Sequence, residues 1–157
     1  KDKVLGESAG MIMQGMDYAA LKFVDTKEEG VVLQYVTCEK AEKGKAEKVM
    51  KQVAIKTSKL PQPYTVKYAV DEIPSSRIAT QDVWLRVKVH SEGIANQIKA
   101  IAEWSYSLDG KKFIKIGTPF TVREGKWIGA KLGFFNTRTA KKNDAAFFDV
   151  DWIHFEK

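Results

Sequence analysis

One stretch of the sequence, from Val83 to His90, restricts the fold of this chain more than any other. Apolar residues occupy every second position in it, in the order Val83, Trp84, Leu85, Arg86, Val87, Lys88, Val89, His90. A two-residue period places successive side chains on opposite faces of a strand, so the segment predicts a β-strand with one buried and one open face. Three further strands are predicted in segments rich in β-branched or aromatic residues, at Ala9–Gly15, Val31–Thr37 and Lys99–Ser107.

Turn residues divide the second half of the chain into short strands. Asp109 and Gly110 lie between two strand-like runs and predict a β-hairpin with a type I′ turn, which needs positive φ at both central positions. The return strand and the strands after it are predicted at Lys112–Ile116, Phe120–Arg123, Trp127–Asn136 and Phe147–Phe155. Many short strands at roughly 8- to 12-residue intervals indicate an all-β sandwich or barrel.

Two intervals are less regular. The charged interval Lys40–Lys51 is split by Gly44, which favours a hairpin or loop over a helix. Three prolines between Lys56 and Ser76 predict an irregular excursion that contains a short edge strand at Tyr64–Val70. Residues 1–157 are interpreted as a single domain, and the start at Lys1 without a methionine suggests a fragment of a longer protein.

The net charge of +6 does not indicate a nucleic-acid partner. Of the 26 cationic side chains only four are arginine, the residue whose planar guanidinium suits phosphates and guanine edges. No apolar run approaches the roughly 20 residues that span a bilayer, so no membrane partner is predicted either. Cys38 is the single cysteine and is interpreted as a small core residue.

No complete catalytic apparatus is visible in the sequence. His90 and His154 both lie outside recognisable motifs and are interpreted as surface residues. Asp149 and Asp151 would share one face of the last predicted strand, about 7 Å apart. That pair is compatible with glycoside hydrolysis, with a structural calcium site at Asp151, or with plain hydrogen bonding, and hydrogen bonding is favoured. No catalytic residue is assigned, and no cofactor is required.

Aromatic rings that could pack on a sugar, with polar neighbours for its hydroxyls, are the other candidates for function. Trp84 is the most suggestive, because a tryptophan that alternates with polar residues should point away from the core. The sugar-contact candidates are Trp84, Arg86, Lys88, His90, Trp104, Tyr106 and Trp127.

Five strings in register carry a resemblance to a known family. They are AGMIMQGMDYA at 9–19, WLRVKV at 84–89, WSYSLDGKKF at 104–113, GKWIGAKLGFF at 125–135 and FDVDW at 148–152. Together they resemble the C-terminal concanavalin A-like β-sandwich of glycoside hydrolase family 43, the β-xylosidase and α-L-arabinofuranosidase group. The resemblance runs from about Ala9 to Phe155.

The resemblance implies a jelly-roll sandwich of two antiparallel sheets that docks against an N-terminal five-bladed propeller, the catalytic domain of the same protein. The family's module begins with strands before the 9–19 string, so the first strands are expected to be missing here. The resemblance further implies an extracytoplasmic enzyme that acts on plant hemicellulose.

Three functions therefore compete. The leading hypothesis is a non-catalytic accessory module that supports the propeller and its substrate cleft. The second is an autonomous carbohydrate-binding module that takes xylan- or arabinan-type oligosaccharides through Trp84 and its neighbours. The third, a laminarinase-like enzyme, is disfavoured because the sequence lacks the clustered acidic residues of that class.

Overall fold

The computed structural model describes residues 8–26, 30–55, 57–59, 77–79, 82–137 and 149–156. Almost all of the regular structure in these ranges is β-strand. The strands are β1 (Ser8–Gln14), β2 (Tyr18–Thr26), β3 (Gly30–Cys38), β4 (Lys48–Ala54), β5 (Thr57–Lys59), β6 (Arg77–Ala79), β7 (Trp84–Glu92), β8 (Lys99–Ser107), β9 (Ile114–Lys115), β10 (Phe120–Val122) and β11 (Lys131–Thr137). Two single-turn 3-10 helices, Ala41–Lys43 and Ala95–Gln97, complete the described secondary structure, and no helix in these ranges could cross a membrane.

The strands form two main antiparallel sheets. One sheet has five strands in the order β11-β1-β2-β3-β4. The other has four, in which β8 pairs with β7 on one side and with β9 and β10 on the other. A separate pair joins β5 to β6. The prediction of an all-β fold with two antiparallel sheets is confirmed.

The core lies between the two sheets. Met11, Leu21 and Tyr35 are neighbours across β1, β2 and β3, so their side chains share the inner face of the five-stranded sheet. Trp104 of β8 faces them, with its ring centroid 6.2 Å from that of Tyr35. Because side chains alternate along the strands, each sheet has one face of aliphatic and aromatic residues. These two faces are buried against each other, and their burial is the main source of stability. Cys38 is buried, as predicted.

Tyr35 shows how this core accommodates a polar atom. Its hydroxyl donates a hydrogen bond to the carbonyl oxygen of Thr118 at 2.9 Å. Burial raises the pKa of Tyr35 to about 12, because the charged phenolate would be desolvated there. The side chain therefore remains a neutral hydrogen-bond donor.

Two of the predicted strands need correction. The strand predicted at Trp127–Asn136 begins only at Lys131, because residues 125–130 form a loop that projects from the sheet. The strand predicted at Phe147–Phe155 is not formed in its described part, 149–155, where all the side chains are exposed. A strand needs a partner for its backbone groups, and alternation alone does not provide one.

Strand β2, from Tyr18 to Thr26, was not predicted, although it pairs with both β1 and β3. The charged interval Lys40–Lys51 forms a 3-10 turn and the start of β4, in agreement with the predicted hairpin or loop, whereas β4 itself was not predicted. The edge strand predicted at Tyr64–Val70 lies outside the described residues.

The hairpin between β8 and β9 is confirmed, but its turn differs from the prediction. Gly110 has a positive φ of 69° whereas Asp109 does not, so the turn is not type I′. Asp109 instead caps the turn, because its Oδ1 accepts hydrogen bonds from the Lys111 and Lys112 amides, both at 2.8 Å. Together with the hydroxyl of Ser107, these amides hold the pKa of the Asp109 carboxyl below its usual range.

Candidate functional site

A cleft lies on the outer face of the five-stranded sheet, the face turned away from the four-stranded sheet. Ile12 of β1 pairs with Ala20 of β2 and with Gly133 of β11, and these three residues form a low, apolar floor. Polar side chains surround that floor, among them Gln14 and Lys131. The cleft, called here the sheet cleft, has a volume of about 520 Å³, which is within the range of small-ligand sites.

A hydrogen-bonded network crosses one side of the sheet cleft. Glu47 comes from the segment between the 3-10 turn and β4, and it reaches over two outward-facing residues of β2. Its Oε2 accepts a hydrogen bond from the Tyr18 hydroxyl at 3.0 Å, and its Oε1 accepts one from Lys22 Nζ at 2.5 Å. Only 14% of the Lys22 side chain and 27% of the Glu47 side chain are exposed, so this ion pair is largely shielded from water.

The network also fixes the protonation of Tyr18. Partial burial, reinforced by the neighbouring Glu47 carboxylate, raises the pKa of Tyr18 well above its usual value. The phenol therefore keeps its proton and donates a hydrogen bond to Glu47. These three side chains form a rigid group that carries both donors and acceptors.

A second cleft adjoins the first at the loop between β10 and β11. This loop cleft has a volume of about 400 Å³, and its lining includes Gln14 and Lys131, the same two residues that line the sheet cleft. Trp127 lies in this loop, and 87% of its surface is exposed. The two clefts thus meet at Gln14 and Lys131, and the exposed indole of Trp127 lines the loop cleft.

The loop that carries Trp127 is tied to the turn between β1 and β2. Arg123 donates hydrogen bonds to both carboxylate oxygens of Asp17, at 3.0 and 3.1 Å. The Met16 amide donates to the carbonyl oxygen of Glu124 at 3.1 Å. These bonds place Trp127 beside the end of the sheet cleft.

The predicted face of β7 is formed, but its aromatic residue is engaged in packing. Trp84 lies on the same strand face as Arg86, as the alternation predicts. Its ring covers Gly110, where an added Cβ would lie 2.9 Å from the indole. Arg86 in turn stacks on the ring of Phe113 at 3.4 Å. Both side chains thus pack against the β8–β9 turn. Sugar contact by either of them remains a prediction.

The other two candidates on β7 are exposed surface residues. Lys88 is exposed, and His90 Nε2 lies 2.9 Å from Glu92 Oε1 on the same strand face. The neighbouring Glu103 forms an ion pair with Lys115 at 2.7 Å, which lowers the pKa of the Glu103 carboxyl. Apart from the buried Ile101, the named side chains at this end of the face are polar, and no exposed Trp, Tyr or Phe lies among them.

Trp104 and Tyr106 require a correction. Both side chains lie on the inner face of β8, where they are 2% and 7% exposed, respectively. Their rings pack in the core, so neither can contact a sugar in this structure. The indole N–H of Trp104 has no hydrogen-bond partner among the described residues.

The two aspartates considered for catalysis and for calcium do not form a site in the described residues. Asp149 and Asp151 are exposed and lie outside any strand. In the ranges that the structure describes, no three His, Cys, Asp or Glu side chains are grouped closely enough to hold a metal ion. The calcium hypothesis for Asp151 stays a prediction.

Apolar side chains are exposed at one edge of the sandwich. Leu132 and Phe134 of β11 lie on the inner, core-facing side of the sheet, beside Met13 and Met11, yet they are 39% and 43% exposed. The core is therefore incompletely covered at this edge in the part of the chain that is described. Elsewhere in the described residues, the segment 149–156 belongs to no strand and has four exposed apolar residues, namely Val150, Trp152, Ile153 and Phe155.

Sequence comparison agrees with this architecture. A curated relative from Formosa agariphila, named beta-xylosidase, is 38% identical over 79 residues, which are 50% of this chain and 12% of that relative. The family model described as the beta-xylosidase C-terminal concanavalin A-like domain matches residues 1–156. Both findings confirm the resemblance drawn from the five strings and the concanavalin A-like type of the sandwich. This chain belongs to the family of β-xylosidase C-terminal concanavalin A-like domains.

Proposed function

We propose that this chain is a non-catalytic accessory module of a β-xylosidase or α-L-arabinofuranosidase, and that it supports a five-bladed catalytic propeller and its substrate cleft. The aligned relative is named as a β-xylosidase, and the alignment covers only 12% of its length. Most of that relative therefore lies outside the aligned region. The proposed substrate is plant hemicellulose, a polymer met outside the cytoplasm, and the proposed location is extracytoplasmic.

Exposed apolar side chains in the segment 149–156 carry this proposal. Trp152 is 62% exposed and Phe155 is 79% exposed, and Val150 and Ile153 of the same segment are exposed as well. Such a group of large apolar side chains in one exposed segment is typical of a surface that another domain covers. A catalytic domain of the same polypeptide would bury it.

The sheet cleft supports a role other than hydrolysis. Hydrolysis of a glycosidic bond usually requires two carboxyl groups that flank the bond. Glu47 supplies the one carboxylate among the residues that line the sheet cleft, and it is already paired with Lys22. The cleft is therefore better suited to binding than to catalysis.

Separate production of the 157-residue chain and of the catalytic domain from its parent enzyme tests the docking. We expect the two to form a one-to-one complex in size-exclusion chromatography, and the catalytic domain to melt at a higher temperature when the chain is bound. The variants Trp152→Asp and Phe155→Asp should each weaken the complex roughly tenfold or more, because each places a charge in an apolar interface.

Lys88→Ala is the matched control, since Lys88 is exposed on the four-stranded sheet. This variant should bind the catalytic domain like the unmodified chain. A catalytic domain that neither binds the chain nor gains stability from it would contradict the accessory role.

A further inference from the structure

We propose that the sheet cleft and the loop cleft together form a binding site for an uncharged oligosaccharide, in which Trp127 stacks on one sugar ring and Tyr18, Lys22 and Glu47 bind the hydroxyl groups of another. The site lies on the five-stranded sheet, on different strands from the Trp84 face considered in the sequence analysis.

The position of the two clefts supports a ligand that spans both. Gln14 and Lys131 are paired across β1 and β11, and both residues line both clefts. A ligand that occupies one cleft can therefore continue into the other over this pair. A site that spans two adjoining clefts suits a chain of sugars better than a compact small molecule.

The hydrogen-bonding capacity of the network supports a sugar ligand. A sugar hydroxyl both donates and accepts, so vicinal hydroxyls are best bound by a donor and an acceptor side by side. Among the described residues, the bond to Glu47 uses one of the three N–H donors of Lys22 Nζ. The Glu47 carboxylate has about four lone-pair sites, and its bonds from Tyr18 and Lys22, within the same ranges, use two. Donor and acceptor are thus held side by side with capacity for two adjacent hydroxyls.

The exposed indole of Trp127 also supports the site. Burial of a tryptophan side chain stabilises a fold because it removes a large apolar area from water. Trp127 is 87% exposed and does not contribute to stability in this way. Trp127 is held beside the clefts by the Asp17–Arg123 and Met16–Glu124 bonds. Lys126 lies 5.6 Å from its ring centroid, and most of the ring surface remains accessible. Aromatic faces of this kind pack against the C–H faces of sugars.

Charge favours a neutral ligand at the centre of the site. Lys22 and Glu47 neutralise each other at the centre, where the apolar floor of Ile12, Ala20 and Gly133 has no charge, whereas Lys131 at the junction of the clefts and Lys126 in the loop cleft add two cations. An anion placed at the centre would meet the Glu47 carboxylate and gain little from a lysine that is already paired. An uncharged polyol has no such repulsion.

The ligand class follows from the geometry, and only the choice of sugar rests on the proposed function. A xylo-oligosaccharide is therefore the first probe, titrated into the 157-residue chain by calorimetry and followed by tryptophan fluorescence. We expect a dissociation constant of roughly 0.1–1 mM, because an open and shallow cleft buries only part of a ligand.

Two conservative variants locate the site. Trp127→Ala should weaken binding about tenfold or more and should remove the fluorescence change. Tyr18→Phe preserves the shape of the side chain and should weaken binding roughly three- to tenfold, through loss of the hydroxyl that orients Glu47. Thermal melting of each variant checks that it is folded.

Trp152→Ala is the control for Trp127→Ala, because Trp152 is also exposed but lies outside both clefts. Its affinity should equal that of the unmodified chain. The proposal is overturned if the folded chain releases no heat with millimolar xylo-oligosaccharide. It is also overturned if Trp84→Ala abolishes binding while Trp127→Ala and Tyr18→Phe leave it intact. Neither result would affect docking to the catalytic domain, which is measured without sugar.

Discussion

Individual residues in this chain act through hydrogen bonds that the fold supplies, and Asp109 is the clearest case. Sequence reasoning assigned it to a type I′ turn, yet its role is to cap the turn with its carboxylate. The side chain accepts hydrogen bonds from two backbone amides and from the Ser107 hydroxyl. The same local signal, an Asp-Gly pair, thus located the turn correctly but gave the wrong geometry, because Asx capping and type I′ turns favour the same residues.

The charge of Asp109 leads to a prediction about pH. Its carboxyl has a lowered pKa in the folded state, so its contribution to stability is present above about pH 4 and is lost as the pH falls through the folded-state pKa. Asp109→Ala should lower the melting temperature by a few degrees at neutral pH, and the difference should shrink below about pH 4. Differential scanning calorimetry over that pH range measures it. A difference of the same size at pH 3 and pH 7 would show that the carboxylate charge is not involved.

At the scale of strands and their connections, predictability depends on how local the signal is. Strand β8 was predicted with its observed bounds, because Lys99–Ser107 combines β-forming residues with a turn at each end. Strand β2 was missed, since its Ala-Ala-Leu string is equally typical of a helix. Residues 149–155 alternate like a strand, but no partner pairs with them among the described residues. Pairing is a long-range property that a local pattern does not contain.

The connection between β9 and β10 gives a prediction at this scale. Gly117 has a φ of 72°, and a Cβ at this position would overlap the Tyr35 ring. Gly117→Ala should therefore lower the free energy of unfolding by about 2–4 kcal/mol, from the left-handed backbone and the overlap together. Urea denaturation measures this change. Gly129→Ala is the matched control, because an added Cβ there meets no atom within 4 Å, and it should change stability by less than about 0.5 kcal/mol.

At the scale of the whole molecule, the sequence identified the fold, the family and Trp127 as a sugar-contact candidate, but not the rest of the candidate site. Trp104 and Tyr106 were chosen because they are aromatic, and the register of β8 against β7 places them in the core. Tyr18 and Lys22 alternate with Ala19 and Leu21, which is a usable signal, but Glu47 reaches them from a distant loop. Such a network exists only once the chain has folded, and no spacing rule connects its members.

Asp17 connects three distant parts of the molecule and provides a prediction at this scale. It is buried and accepts hydrogen bonds from Arg123 and from the amide of Lys40, the latter at 2.6 Å. Asp17→Ala should reduce the free energy of unfolding by about 2–4 kcal/mol, because two partners lose a charged acceptor. Chemical denaturation measures this loss. Asp149→Ala, at an exposed aspartate, should have almost no effect, and equal effects of the two substitutions would refute the linking role.

The pairing of Gln14 with Lys131, where the two clefts meet, has one further consequence. If the two clefts bind a sugar as proposed, a short sugar occupies one side of this pair. A longer chain crosses the pair and makes contacts on both sides. Affinity would then increase with polymer length. Such a module would hold its enzyme near undigested polysaccharide and release the short products, so that each cleavage frees the surface for the next chain.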